Sequence, residues 1–293
     1  MKSGKKIVHH LILFVFAIFL LSVAAFFNQK ITDLRKTYPS FTDPVFLPKA
    51  EALRLVSLDF EGLAADLVWI KGALYFGSHY RQRGFRFRWM EGLLNLATDL
   101  DPLYYDIYWY GSSLLPEVHQ SIRLLKKGMR YFPDKWELPQ MIGFYYLYYL
   151  HDYKSAAKYY EIASLKPGRP PFVPSLASRF YTQAGELDAA IRVLKGFYET
   201  THRKDLKKEF ALRITQLEQI KYLQALVQAY RESFGAYPAT LKDLQRRGLL
   251  NAPPREPFGG YYFIDPKDHR VKSNTDPLVT PPKKKDERWQ KAN

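Results

Sequence analysis

The chain has 293 residues, 47% hydrophobic and 25% charged, with a formal net charge of +15. That composition is ordinary for folded protein, and the length allows one or two domains with a sizeable core. The absence of cysteine excludes disulfides, thiolate metal sites and a cysteine nucleophile, while the basic balance favours adhesion to anionic surfaces.

The first element is an apolar run. Residues 1–6 form a short tail carrying Lys2, Lys5 and Lys6, and Ile7 to Phe27 follow without a residue charged at neutral pH. As a helix that run spans about 31 Å, the thickness of a hydrocarbon core. The lysines before it predict an N-terminus held in the cytoplasm and a body carried across the membrane. Ser22-Val23-Ala24 offers the alternative of a cleaved signal peptide. Apolar sequence continues past it through Ala25-Phe26-Phe27, and the run has full spanning length, which favours an uncleaved single-pass anchor of the cytoplasmic (inner) membrane. Both readings put the body in the periplasm or its extracytoplasmic equivalent.

Residues 28–49, broken by Pro39, Pro44 and Pro48, read as a stem. Leu53, Val56, Phe60, Leu63, Leu67, Ile70 and Leu74 then alternate spacings of three and four, which predicts one continuous helix docking its stripe on the helices that follow. Asp66 is the carboxylate of this stretch expected to be partly buried, in a packing or ion-pairing role. Next, Arg81, Arg83, Arg86 and Arg88 alternate with aromatics. Such a segment can bind nucleic acid, an anionic lipid or an anionic envelope polymer, or can simply solvate a loop. An extracytoplasmic location argues against nucleic acid.

From residue 50 to residue 202 the chain is periodic. Ala97-Thr98-Asp99-Leu100-Asp101-Pro102 recurs as Gly128-Met129-Arg130-Tyr131-Phe132-Pro133, and one residue shorter as Ala163-Ser164-Leu165-Lys166-Pro167. The small residues lie 31 and then 35 positions apart. Ala156, Tyr160 and Ala163 share one helical face. A fourth unit runs from Leu176 through a turn at Gly185 to Ala190 and Leu194. These features resemble tetratricopeptide repeat (TPR) proteins, although Ser121 stands where alanine is usual and the first two units lack the full signature. The resemblance implies a mainly α fold, a TPR-like α-solenoid of helical hairpins, each pair burying its apolar side on its neighbours. The alternative is an irregular helical domain with chance periodicity. In such arrays the first helix of each pair lines a concave surface. That places Tyr105, Tyr108, Tyr145, Tyr148, Tyr149 and Arg179 as candidate contacts for a protein partner. Leu103 to Gly111 is the expected first helix of the second unit, and Pro167 to Pro174 an extended connector.

Residues 203–274 form a C-terminal module. Arg203 to Phe234 is a long amphipathic helix, and Tyr261 to Ile264 and Arg270 to Ser273 read as two strands about a turn at Pro266. The Gly235-Ala236-Tyr237-Pro238 turn, the leucine-rich segment after it, and Pro257-Phe258-Gly259 before the strands resemble the globular end of type II secretion pseudopilins. Glu256 stands where that family has aspartate, and Lys5-Lys6-Ile7-Val8 does not match the start of a pilin membrane helix. The resemblance implies contact with a secretion or pilus apparatus. The alternative is a small α+β cap closing the helical array. Asp265 and Asp268 read either as a calcium site or as turn formers. Residues 275–293, with Lys283-Lys284-Lys285, read as a disordered basic tail.

Chemistry is sparse. There is no phosphate-cradling glycine loop, no His-Glu-x-x-His and no Gly-x-Ser-x-Gly, and the seven histidines lack ligand spacing. The sequence therefore predicts no catalytic, cofactor-binding or metal residues. It predicts a membrane-anchored scaffold for a protein partner, with adaptation to an anionic polymer or lipid as the alternative.

Overall fold

The computed structural model describes residues 2–37, 46–79 and 89–276. The described residues are mainly helical with one small two-stranded sheet, and the chain divides into two compact units, residues 1–101 and 102–293. The Arg81–Arg88 segment and residues 277–293 of the basic tail lie outside the described residues.

In the first unit, α1 (Lys2–Thr37) is longer than the predicted anchor at both ends. Residues 2–6 are already helical. The helix then continues through Gln29-Lys30-Ile31 and beyond, because good helix formers run on and no breaker arrives before Pro39. The predicted stem is thus helical over its first ten residues. The window Phe14–Ile31 is long and apolar enough to cross a membrane, and none of it is buried within the protein.

The predicted single helix after the stem is two helices, α2 (Ala50–Ser57) and α3 (Glu61–His79). Leu58 and Asp59 adopt left-handed backbone (φ 47° and 69°) and turn the chain between them. That costs about 1 kcal/mol or more per residue without glycine. α3 packs on α4 (Met90–Leu100), but not by its leucine stripe. It offers the face bearing Ala65, Gly72 and Tyr75. A Cβ at Gly72 would lie 3.8 Å from the Cβ of Leu93 and 3.9 Å from the sulfur of Met90. Small residues let the two helices approach closely. The predicted stripe, Val56, Phe60, Leu63, Leu67, Ile70 and Leu74, is exposed instead. Asp66 is exposed too, contrary to the partial burial expected of it.

The second unit begins with α5 (Tyr105–Trp109) and a 3₁₀ turn (Gly111–Leu114). The first helix of this pair is therefore much shorter than predicted. The hydroxyls of Ser112 and Ser113 bond back to the carbonyls of Trp109 and Tyr110 and end it. There follow α6 (Val118–Tyr131), α7 (Glu137–Tyr148), α8 (Tyr153–Ser164), α9 (Val173–Ala184), α10 (Leu187–Thr200) and α11 (Lys204–Phe234), each packed on the next. Pro174 is not in the connector but in the first turn of α9, where its missing N–H costs nothing. Gly185 ends α9 at φ 82°, a conformation only glycine adopts without strain.

Helices α4, α6 and α8 stop two or three residues before Pro102, Pro133 and Pro167, as the recurring endings predict. Their small residues Ala97, Gly128 and Ala163 are all buried. The packing is ring into notch. Gly128 of α6 receives the ring of Tyr108, and Gly143 of α7 receives the ring of Tyr160.

The end of the unit is built on α11. Phe210, Ile214, Leu217, Ile220, Leu223 and Val227 of α11 join one apolar cluster that runs from α8 to the sheet. Helix α12 (Leu241–Arg246) starts with a reciprocal capping box between Thr240 and Asp243. Strands β1 (Tyr262–Ile264) and β2 (Val271–Ser273) pair antiparallel, Tyr262 opposite Ser273, within a residue of the predicted spans.

Candidate functional site

The six candidate contact residues separate by burial. Tyr108 is fully buried. Its hydroxyl donates to the Pro102 carbonyl at 3.2 Å. Tyr145 is buried as well and donates to the Ser112 carbonyl at 3.1 Å. Both are core residues and offer no surface to a partner. Tyr105 is half-buried, edge-on to Phe132 at 5.2 Å, with the Lys135 ammonium 5.2 Å from its ring centre. Burial, with the nearby Glu137 and Asp106 carboxylates, pushes its phenol well above the ordinary tyrosine range. Arg179 is half-buried on α9. Of the six, only Tyr148 and Tyr149 are exposed, at 62% and 59%.

Tyr148 and Tyr149 belong to an aromatic ledge at the C-terminal end of α7. Phe144 lies 4.5 Å from Tyr148 and 6.3 Å from Tyr149, ring centre to ring centre. Spacings of four and five place these rings near one another at the helix end. His151, at φ 52°, turns the chain sharply into α8. Asp152 caps that helix by accepting from the Ser155 N–H at 3.0 Å. The caps fix the ledge to rigid elements. Phe144 is the contributor that sequence reasoning missed; the run from Phe144 to Tyr149 carried the signal.

At the opposite end of α7 an open groove of about 560 Å³ is lined by Tyr131, Phe132, Pro133, Trp136 and Pro167, with Gly168 at φ 68°. A second cleft, of about 240 Å³, lies where Thr182–Gly185 and α11 meet β2. It is smaller than sites for drug-sized ligands. Arg270 Nη1 donates to the Gln183 carbonyl across it at 3.1 Å, and Val271 N donates to Gln224 Oε1 at 2.8 Å. This cleft is a seam joining the module to the helices.

The densest polar network surrounds Glu256. Its carboxylate is buried. It accepts from Phe258 N at 2.7 Å, Gly260 N at 2.9 Å, Thr275 Oγ1 at 2.8 Å and Ser273 Oγ at 3.1 Å. The Gln216 amide of α11 donates to it as well. Burial alone would raise its pKa, but donation from Gly260, Thr275, Gln216 and Phe258 outweighs it and holds the group below the usual glutamate range. Asp265 and Asp268 face the ammonium of Lys272, at 2.6 and 2.9 Å. Both also accept from the turn backbone, Asp265 from Lys267 N at 2.9 Å and Asp268 from Arg270 N at 3.1 Å. Among the described residues no group of three or more metal-ligating side chains converges.

No family model matches the chain, and no curated protein is similar to it.

Proposed function

We propose that this protein is a membrane-anchored, non-catalytic TPR-like scaffold that binds a protein partner outside the cytoplasm, in the service of an envelope assembly such as a secretion or pilus complex. The observation that carries the reading is the aromatic ledge of Phe144, Tyr148 and Tyr149, held out from successively packed helices. Tyrosine loses little conformational entropy on binding and supplies both apolar area and a hydroxyl, so exposed clusters of it suit protein recognition. The solenoid reading draws support from the Pro-terminated helices and from the rings of Tyr108 and Tyr160 seated on Gly128 and Gly143. Anchoring draws support from the unburied window Phe14–Ile31 and from the three lysines before it. The pilin-like order of turn, short helix, Pro-Phe-Gly and hairpin supports the envelope assignment.

A photo-reactive residue at Tyr149 in the full chain, activated in intact cells, is expected to capture a specific protein. Replacing Tyr148 with serine should weaken that capture about tenfold, the loss of roughly 1.4 kcal/mol expected of an interface tyrosine. No specific adduct, or the same adducts from exposed Leu165, would overturn the proposal.

A further inference from the structure

Among the described residues of the first unit, none covers the stripe on α3. Phe60, Leu63, Leu67, Ile70 and Leu74 are 52–68% exposed, while the opposite face of the same helix is closed by α4. Their spacing of three, four, three and four is that of the a and d positions of two heptads. On this register Asp66 falls at g and Lys71 at e, and both are exposed. They are five residues apart, the interval at which g of one helix meets e of its mate in a parallel pair.

We propose that α3 is a self-association element, through which two copies of this chain pair their α3 helices in parallel and in register. Under two-fold symmetry each a and d residue meets its own counterpart, and Asp66 and Lys71 meet each other twice. The parallel sense rests on the anchored reading above. Copies inserted in one bilayer with the same orientation have a two-fold axis along the membrane normal, and helices that run along that axis pair in parallel. Only residues 38–49 separate α1 from α2, so anchoring confines α3 and raises its effective concentration. Two heptads that would be marginal in dilute solution then suffice. The bilayer itself fits the stripe less well. An interfacial helix is rimmed by basic residues, whereas this stripe is flanked on one side by the exposed Asp66.

The lack of cysteine makes the test direct. Single-cysteine variants Leu63→Cys, Leu67→Cys and Ile70→Cys of the full chain, oxidised in native membranes, are expected to give same-residue disulfide dimers at all three positions. The yield should exceed that of Gly62→Cys, on another face, by about tenfold. Asp66→Lys should lower the yield at Leu67→Cys, and adding Lys71→Asp should restore it. Dimers at one position only would indicate crossed or antiparallel helices and overturn the proposal. So would equal yield from Gly62→Cys, or no dimer with Leu67→Cys shielded from a water-soluble maleimide by lipid. Alkaline extraction of the same membranes reads the anchor separately. Retention without dimers removes the pairing alone, and release with dimers removes the anchor alone.

Discussion

Replacing Gly128 or Gly143 with alanine will each destabilise the protein by about 1–3 kcal/mol, the range of an overpacked core site. Alanine is ordinarily the better helix former by up to about 1 kcal/mol, so the sign is the informative part. At Gly128 a methyl group would lie 2.6 Å from Tyr108 Cγ and 2.9 Å from its Cβ. These atoms sit at the root of a fully buried ring and cannot swing away. At Gly143 the methyl would lie 2.6 Å from Tyr160 Cδ2 and 3.2 Å from the Ala156 carbonyl. Gly196 of α10 supplies the contrast, since nothing lies within 4 Å of its missing Cβ. Gly196→Ala should therefore stabilise by about 0.5–1 kcal/mol. Thermal unfolding of the detergent-solubilised full chain, with all three variants side by side, measures both signs. Stabilisation by Gly128→Ala would show that the ring does not occupy the notch.

Glu256→Ala is expected to cost about 3–5 kcal/mol, the scale for removing one partner from a buried charged network. It leaves the N–H groups of Phe258 and Gly260 and the Gln216 amide facing a void. Glu256→Gln should cost less, because an acceptor oxygen remains, yet its new NH₂ opposes donors. Acid separates the two contributions. The folded-state value of Glu256 lies below that of the unfolded chain, near 4.3. Its ionised stabilisation is therefore complete above that pH and is lost as pH falls through the lowered folded value. The stability gap between the natural chain and Glu256→Gln should narrow below about pH 4 and be constant above about pH 6. Unfolding midpoints across that range measure it; a gap independent of pH would mean that folding leaves the carboxylate's proton affinity unchanged, and one that shrinks as pH rises would mean that it is protonated in the fold.

Local signals were the legible ones. Prolines and small residues at a steady interval placed the ends of α4, α6 and α8, because each ending is written in a few adjacent residues. The strands and the Gly185 turn were legible for the same reason. What failed depended on partners. Helix α3 is apolar around most of its circumference, so periodicity could not say which side α4 would take. The face with Ala65 and Gly72 won because it permits closer approach, and the larger residues were left outside. The corner at Leu58–Asp59 carries neither glycine nor proline and gave no warning. Among the tyrosines, residue type could not separate Tyr108 and Tyr145 from Tyr148 and Tyr149. Their fate was settled by register against the neighbouring helix.

The 31 residues of α11, about 46 Å of helix, belong to both halves of the second unit at once. The apolar cluster crosses residue 203 without interruption, from Ile191 and Leu194 on α10 to Phe210 and Ile214 on α11 and on to Val271. Residue 203 is therefore a boundary in motif but not in folding. A chain that ended there would emerge with a wet, greasy flank, a ready target for quality-control proteases. The hairpin end and the helices before it must be inherited, expressed and degraded as one piece.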